Sequence, residues 1–402
     1  MAKLRTRGID NYSLANGFSD TYQLCKDKGD FVWIENASDL SYDRRDLIDK
    51  FRKDDSLDIN KGTAYISALH TFNLYQAFVW AKQKPDVNFI VGGPAVNRVA
   101  ISYDQANIPN NMIITDMSME EHFGVPEFSQ RWGIELPKMD DGYSVFFIYT
   151  LDNNCYWGKC IYCSYQGQTC KQRDRKEIRS EFLDLETDRN KLIWLQTNSL
   201  MPHKIKTVLP SLTYRDDIFY SAFVRGTKEE ADVLEEVLDS SEIKTSNIKL
   251  CMGIEFPSKR MLKFMKKGVT KEGLLKMLEV ADRYGLPMTV YWMLGWPEIT
   301  EEDIQELEEF VAVMPRNKIN DQKIFFISPM VGTELYNLYS SKKKILEIAS
   351  GPFHCAYCVE LNDTQKKMNE RARQIILKDK YFTVDRYDIE HVGVPTEHWW
   401  RN

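Results

Sequence analysis

The sequence predicts an α/β fold in which a partial (β/α)6 barrel follows a Rossmann-like domain and precedes a C-terminal extension. Two observations carry this reading. Six short apolar segments, FFIYTL (146–151), KLIWLQT (191–197), DIFYSAFV (217–224), IKLCMGIE (248–255), MTVYWML (288–294) and KIFFISP (323–329), have helical stretches between several of them. Their spacing, roughly 25 to 45 residues, suits right-handed βαβ crossovers and a parallel sheet. A shorter series of the same kind lies between Asp30 and Pro94.

In that leading series FVWIE reads as a strand, the charged stretch from Tyr42 to Lys53 as a helix, AYISA (64–68) as a buried strand and Phe72 to Lys84 as a helix. NFIVGGPAV (88–96) adds a strand that ends in a Gly-Gly-Pro turn. The pattern is that of a small doubly wound domain over residues 1–140, which would bind ligands at the carboxyl ends of its strands. Ser67 to His70 and Gly92 to Ala95 would share that edge.

The barrel segment is placed at 141–345. Two of its helices are marked by their ends. Thr270 precedes KEGLLKMLEVADRYG, with Leu274, Leu275, Leu278 and Ala281 on one face and Gly285 as a stop; Thr300, with Asp303 three residues on, resembles a capping box. The extension, 346–402, holds a Gly-Pro-Phe turn, a Cys-x-x-Cys, a charged helical stretch and an aromatic tail.

At 402 residues and 43% hydrophobic content the chain can bury substantial cores. No run of about 18 uncharged apolar residues and no apolar stretch after the basic N-terminus is present, so neither a spanning helix nor a signal peptide is expected, and a cytoplasmic location is. A net charge of −6 gives no overall pull toward nucleic acid or anionic membrane, and neither is expected as a partner. Eight cysteines are too few for a disulfide scaffold. Three of them, Cys155, Cys160 and Cys163 in DNNCYWGKCIYCSY, form a C-x4-C-x2-C array just after a strand.

A loop of that length can present three thiolates to three irons of a 4Fe-4S cluster and leave the fourth iron open. From the cysteines alone a zinc site, with Cys170 or a distant residue as fourth ligand, stays open as the alternative. The surrounding residues bear on the choice. CYWGKCIYC resembles the cluster loop of radical S-adenosylmethionine (SAM) enzymes, especially the cobalamin-dependent branch, although four residues instead of the commoner three separate its first two cysteines. Residues 253 to 311, with Gly-Ile-Glu, Met-x-Lys-Gly and Met-Leu-Gly-x-Pro before an acidic helix, resemble the second half of the same barrel.

The resemblance implies that the open iron is chelated by SAM and that the reduced cluster releases a 5'-deoxyadenosyl radical. It implies Arg225 for the SAM carboxylate, where a guanidinium forms paired hydrogen bonds. It places Glu255 at the ribose or amino group, Tyr162 near adenine, Gly295 as a backbone contact in the turn after MTVYWML, and Gln196 at a strand end of the site. Residues 64–96 resemble part of a cobalamin-binding domain, with Ser67, Gly92 and Gly93 on the corrin face. The Asp-x-His-x-x-Gly motif of a histidine lower ligand is not in the sequence. A degenerate domain kept for packing or docking is the alternative.

Cys355 and Cys358, beside His354, read as a redox pair, zinc ligands or buried thiols, and the basic run 171–179 as a solvated helix face. The leading expectation is cobalamin-dependent C-methylation of a peptide or small molecule, with a reductant such as flavodoxin or ferredoxin. Its rivals are hydrogen abstraction without cobalamin and, from another class, a zinc-stabilised binding protein. A methylthiotransferase is disfavoured because no extra cysteine triad precedes the barrel.

Overall fold

The structure, a computed structural model, describes residues 4–7, 14–15, 31–35, 61–67, 71–92, 96, 108–115, 145–150, 155–163, 165–167, 170, 191–196, 199–212, 218–240, 243, 245–315, 317–330, 332–347 and 357–378. They divide into two compact units, one within 1–139 and 328–358, the other within 140–327 and 359–389.

In the first unit β1 (Leu4–Arg7), β2 (Phe31–Glu35), β3 (Gly62–Ser67), β4 (Val87–Gly92) and β5 (Met112–Ile114) form one sheet in chain order, each neighbouring pair parallel. Helix α1 (Thr71–Gln83) connects β3 to β4. Its Leu74, Ala77, Trp80 and Ala81 close a core with Ala64, Ile66, Phe89, Val91 and Met112. The Asn111 amide donates to the carbonyls of Ala81, Lys84 and Val87 at 3.0, 3.0 and 2.8 Å and so ties the end of α1 to the start of β4. The parallel register sets Ser67 opposite Gly92 at the carboxyl ends of neighbouring strands. Among the described strands the order does not reverse, so these two residues share an edge instead of flanking the crevice of a doubly wound sheet. Gly93, His70 and the expected helix around residues 42–53 lie outside the described residues.

In the second unit β6 (Val145–Thr150), β7 (Lys191–Gln196), β8 (Ile218–Val224), β9 (Ile248–Glu255), β10 (Met288–Leu294) and β11 (Ile319–Phe326) also pair in chain order, all parallel: the six strands of the partial barrel. β11 starts four residues ahead of the apolar segment that marks it in sequence, because Met288 donates its N–H to the Lys318 carbonyl and draws the polar residues into the ladder. Helices α2 (Pro202–Leu212), α3 (Lys228–Ser240), α4 (Lys259–Phe264), α5 (Lys271–Tyr284) and α6 (Glu301–Val313) fill the connections.

Period-two alternation decides what each strand buries. On β10, Met288, Val290, Trp292 and Leu294 are fully covered, and Trp292 meets Phe310 of α6 edge-on at 6.2 Å. Full burial of a large apolar side chain stabilises by about 1.5–3 kcal/mol. The intervening Tyr291 stacks on Phe325 at 5.7 Å and leans on Phe223 at 5.6 Å.

The two helices with sequence-marked ends form as expected. Thr270 accepts from the Gly273 N–H and Gly285 stops α5 in the left-handed region at φ 73°, while Thr300 and Asp303 make a reciprocal capping box. Leu274, Leu278 and Ala281 are buried; Met277 and Val280 complete the stripe and Leu275 is half-buried. The C-terminal stretch also has its own order. α7 (Asp363–Leu377), opened by an Asn362/Gln365 capping box, buries Asn369, Ala372, Ile375 and Ile376 within the second unit. No described helix is long and apolar enough to cross a membrane.

Candidate functional site

Cys155, Cys160 and Cys163 occupy one loop beyond the carboxyl end of β6, each half-buried. The loop closes on itself: Cys163 N–H donates to the Cys160 carbonyl at 3.2 Å, and Gly167 N–H to the Gly158 carbonyl at 2.8 Å, both glycines at positive φ. A short segment after α4, residues 265–268, then clasps it. The Met265 carbonyl accepts from Ile161 N–H at 3.1 Å, the Lys266 carbonyl from Trp157 Nε1 at 2.7 Å, and the Lys267 carbonyl from the Arg225 guanidinium. Gly268 lets the Trp157 ring come close against the backbone, for a Cβ there would come within 2.1 Å of it.

Arg225 follows the last residue of β8 and is 8% exposed. One of its terminal nitrogens donates to the Tyr156 hydroxyl at 3.2 Å, and its guanidinium lies over the Trp157 ring at 4.4 Å. Glu230, fully buried in the first turn of α3, organises this strand end. Its Oε2 accepts from the backbone N–H groups of Arg225, Gly226 and Thr227 at 3.1, 2.8 and 3.0 Å. Its Oε1 accepts from Tyr156 Oη at 2.6 Å and Ser199 Oγ at 3.2 Å. A buried carboxylate is tolerated when it is this fully satisfied. Burial, with the Glu230 carboxylate beside it, pushes the Tyr156 hydroxyl's pKa up, so it stays a proton donor.

Glu255 ends β9 at φ 62°, a left-handed conformation that costs a non-glycine residue about 1–2 kcal/mol. The strain turns its carboxylate back over Gly253, where a Cβ would lie 2.3 Å from Oε1. Glu255 Oε1 accepts from Lys267 Nζ at 3.1 Å and Tyr162 Oη at 3.3 Å. Tyr162 in turn meets Trp296 edge-on at 6.0 Å. Burial raises the Cys160 thiol above its ordinary pKa against the opposing pull of Lys267 and Arg225, and burial pushes Cys163 up to about 12. Cys155 adds to the rise of Cys160, and Cys160 and Cys155 add to that of Cys163, with Lys267 opposing both.

That donor set fits a cluster. Three half-buried thiols from one loop are the number that a 4Fe-4S cluster with one open iron takes from the protein.

Of the residues singled out in sequence, the three cysteines, Tyr162, Arg225 and Glu255 come together here. Gln196 ends β7 opposite Thr150 in register, at the same end of the sheet. Gly295, at φ 89°, donates its N–H to Asn369 Oδ1 of α7 at 2.7 Å, as Trp296 does at 3.2 Å, so α7 holds this turn. Ser67 and Gly92 belong to the other unit. The Cys355 residue, the Cys358 side chain and the run 171–179 lie outside what is described.

Sequence reasoning passed over Glu230, Lys267 and Asn369. The first had a signal, Thr227-x-x-Glu230, which is a capping-box pattern in which Thr227 Oγ1 also accepts from Glu230 N–H at 3.0 Å. Asn369 had none, because the turn it holds, Gly295–Trp296, is more than 70 residues away.

Residues 151–311 match the family model described as the Radical SAM superfamily. Among curated proteins no sequence matches. Among solved structures the chain is similar to the cobalamin-dependent SAM radical enzyme OxsB with aqua-cobalamin bound, at 10% identity and TM-score 0.58, covering 92% of this chain and 66% of that one. It is also similar to the radical SAM methyltransferase TsrM from Kitasatospora setae with cobalamin and a 4Fe-4S cluster bound, at 11% identity and TM-score 0.50, covering 95% and 86%. The chain thus spans just under two thirds of the OxsB length, and identities this low are a likeness of fold.

Proposed function

The chain carries a radical SAM domain, and from that premise we propose that Cys155, Cys160 and Cys163 hold its 4Fe-4S cluster and that the enzyme performs cobalamin-dependent C-methylation of a peptide or small molecule. The observation that supports this best is that three thiols lie in one clasped loop beyond the carboxyl end of β6, and that Tyr162 of that loop, half-buried, meets a buried Glu255–Lys267 pair whose Lys267 carbonyl receives the buried Arg225.

When bound and reduced, the cluster supplies the electron that splits the SAM sulfonium and yields the 5'-deoxyadenosyl radical. The protein's part is to bind, orient and exclude water. Arg225 spends two of its five donors on Tyr156 and the Lys267 carbonyl, and offers the others to the SAM carboxylate. Glu255 accepts from the ribose or amino group, Tyr162 and the Gly295 turn flank adenine, and Gln196 closes the β7 side. In the other unit Ser67 and Gly92 form the edge proposed to face the corrin, with Gly93 the next residue in sequence; the likeness to two cobalamin-bound folds supports it. A flavodoxin- or ferredoxin-type reductant and a cytoplasmic setting complete the proposal. The missing Asp-x-His-x-x-Gly favours a second reading, hydrogen abstraction without corrinoid.

The test is anaerobic purification and reconstitution, iron, sulfide and corrinoid analysis, then dithionite and SAM. The expected result is a brown protein with about four irons that forms 5'-deoxyadenosine and loses both properties when the three cysteines become Ala. Bound corrinoid selects methylation and its absence the second reading. Colourless protein with stoichiometric zinc overturns both.

A further inference from the structure

Lys267 is a buried cation that the proposed chemistry does not otherwise use. It is 6% exposed and its ammonium has three donors, yet among the described residues Glu255 Oε1, at 3.1 Å, is the acceptor recorded for it. A buried ion pair is costly to desolvate, so one kept at this depth with donor capacity to spare points to a further anionic neighbour. Three further observations fix where that neighbour stands. The Lys267 carbonyl receives Arg225, which stacks on Trp157 of the cysteine loop. The preceding two carbonyls hold Ile161 and Trp157 of that loop. Tyr162, between Cys160 and Cys163, donates to the same Glu255 oxygen as Lys267. The ammonium is therefore held at the Glu255 oxygen that Tyr162 of the loop also contacts, on a backbone segment that is itself bonded to the loop.

We propose that Lys267 is a positioning residue that holds a fixed positive charge beside the cysteine loop and makes the cluster's one-electron reduction easier, with Glu255 setting how much of that charge is felt. The inference rests on the assignment of the cluster to Cys155, Cys160 and Cys163. Three thiolates outweigh the charge of the oxidised cluster and each added electron makes it more negative, so a nearby cation favours the reduced form; net charge and outer-shell contacts are the protein's means of setting such potentials. The electron itself comes from an external low-potential donor.

The experiment is a redox titration of the reconstituted full-length protein, followed by the electron paramagnetic resonance signal of the reduced cluster, in wild type, K267M, K267R and E255Q. K267M should be about tenfold less reduced at a fixed poise, the effect of a charge removed from a buried site, and K267R near wild type. E255Q, which unmasks Lys267, should shift the opposite way. An unchanged K267M, or K267R displaced as far as K267M, overturns the proposal. Should K267M fail to retain iron, E255Q decides: a shift toward easier reduction supports the proposal and no shift overturns it. A wild type without a cluster is a different failure, that of the cysteine assignment.

Discussion

At the scale of single residues the cysteine loop is held by atoms with no freedom to move. The Trp157 ring is fixed at Nε1 by the Lys266 carbonyl, on one face by Arg225 and on its edge by the Gly268 backbone, which itself sits at φ 69°. Gly268→Ala puts a methyl where the ring lies and strains the backbone at once, and no rotation of a flexible chain relieves it. The expected outcome is a severalfold drop in iron retained per chain after anaerobic reconstitution, with far-ultraviolet circular dichroism little changed; retention equal to wild type would show that Trp157 does not brace the loop. The spacing of the cysteines was legible in sequence because covalent order alone sets it. The Glu255–Lys267 pair was not, because it depends on a register shift in β9 and a left-handed residue that nothing in the composition requires.

At the scale of elements, α4 and α6 are joined through Asp303. Its carboxylate closes the α6 capping box, accepts from Ser258 Oγ at the N-cap of α4 at 2.6 Å, and accepts from Arg260 Nε at 3.1 Å. Burial works to raise its pKa, but the Arg260 and Ser258 side chains and the Thr300 N–H together outweigh burial and hold it below the usual carboxylate range. A carboxyl depressed by folding contributes stability that is present above its unfolded value and is lost as pH falls through its folded value. D303N should therefore cost about 1–2 kcal/mol at neutral pH, and the gap to wild type in thermal denaturation should narrow in acid below the ordinary aspartate range. An equal loss at every pH would mean that packing and not charge is responsible. Thr300 and Asp303 could be read as a cap from their spacing, whereas Ser258 and Arg260, over 40 residues earlier, could not be assigned to the same carboxylate without the fold.

At the scale of the whole molecule neither unit is one continuous stretch of chain. The unit that holds the cysteine loop is completed by residues 359–389, after an excursion into the other unit. The strand periodicity gave no sign of this, because α7 is strongly polar and places a single buried amide, Asn369, at the turn that follows β10. Its amide nitrogen donates to the Trp296 carbonyl at 3.0 Å while its oxygen takes the N–H groups of Gly295 and Trp296, and Gln365 Nε2 donates to the Pro297 carbonyl at 3.0 Å. A chain ending at residue 345, where the apolar pattern alone closes the barrel, leaves these buried groups without partners at about 1–3 kcal/mol each. It also uncovers the apolar face that Ala372, Ile375 and Ile376 share with the unit. Such a chain should bind iron poorly and unfold at lower temperature than the full chain. N369A in the full chain isolates the local part of the effect. It should retain the cluster but weaken SAM binding several-fold, as read by calorimetric titration of the reconstituted protein, because the turn proposed to flank adenine loses its clamp. If the shortened chain matched the full one in iron content and melting temperature, α7 would be an ornament on the barrel and Asn369 no part of its site.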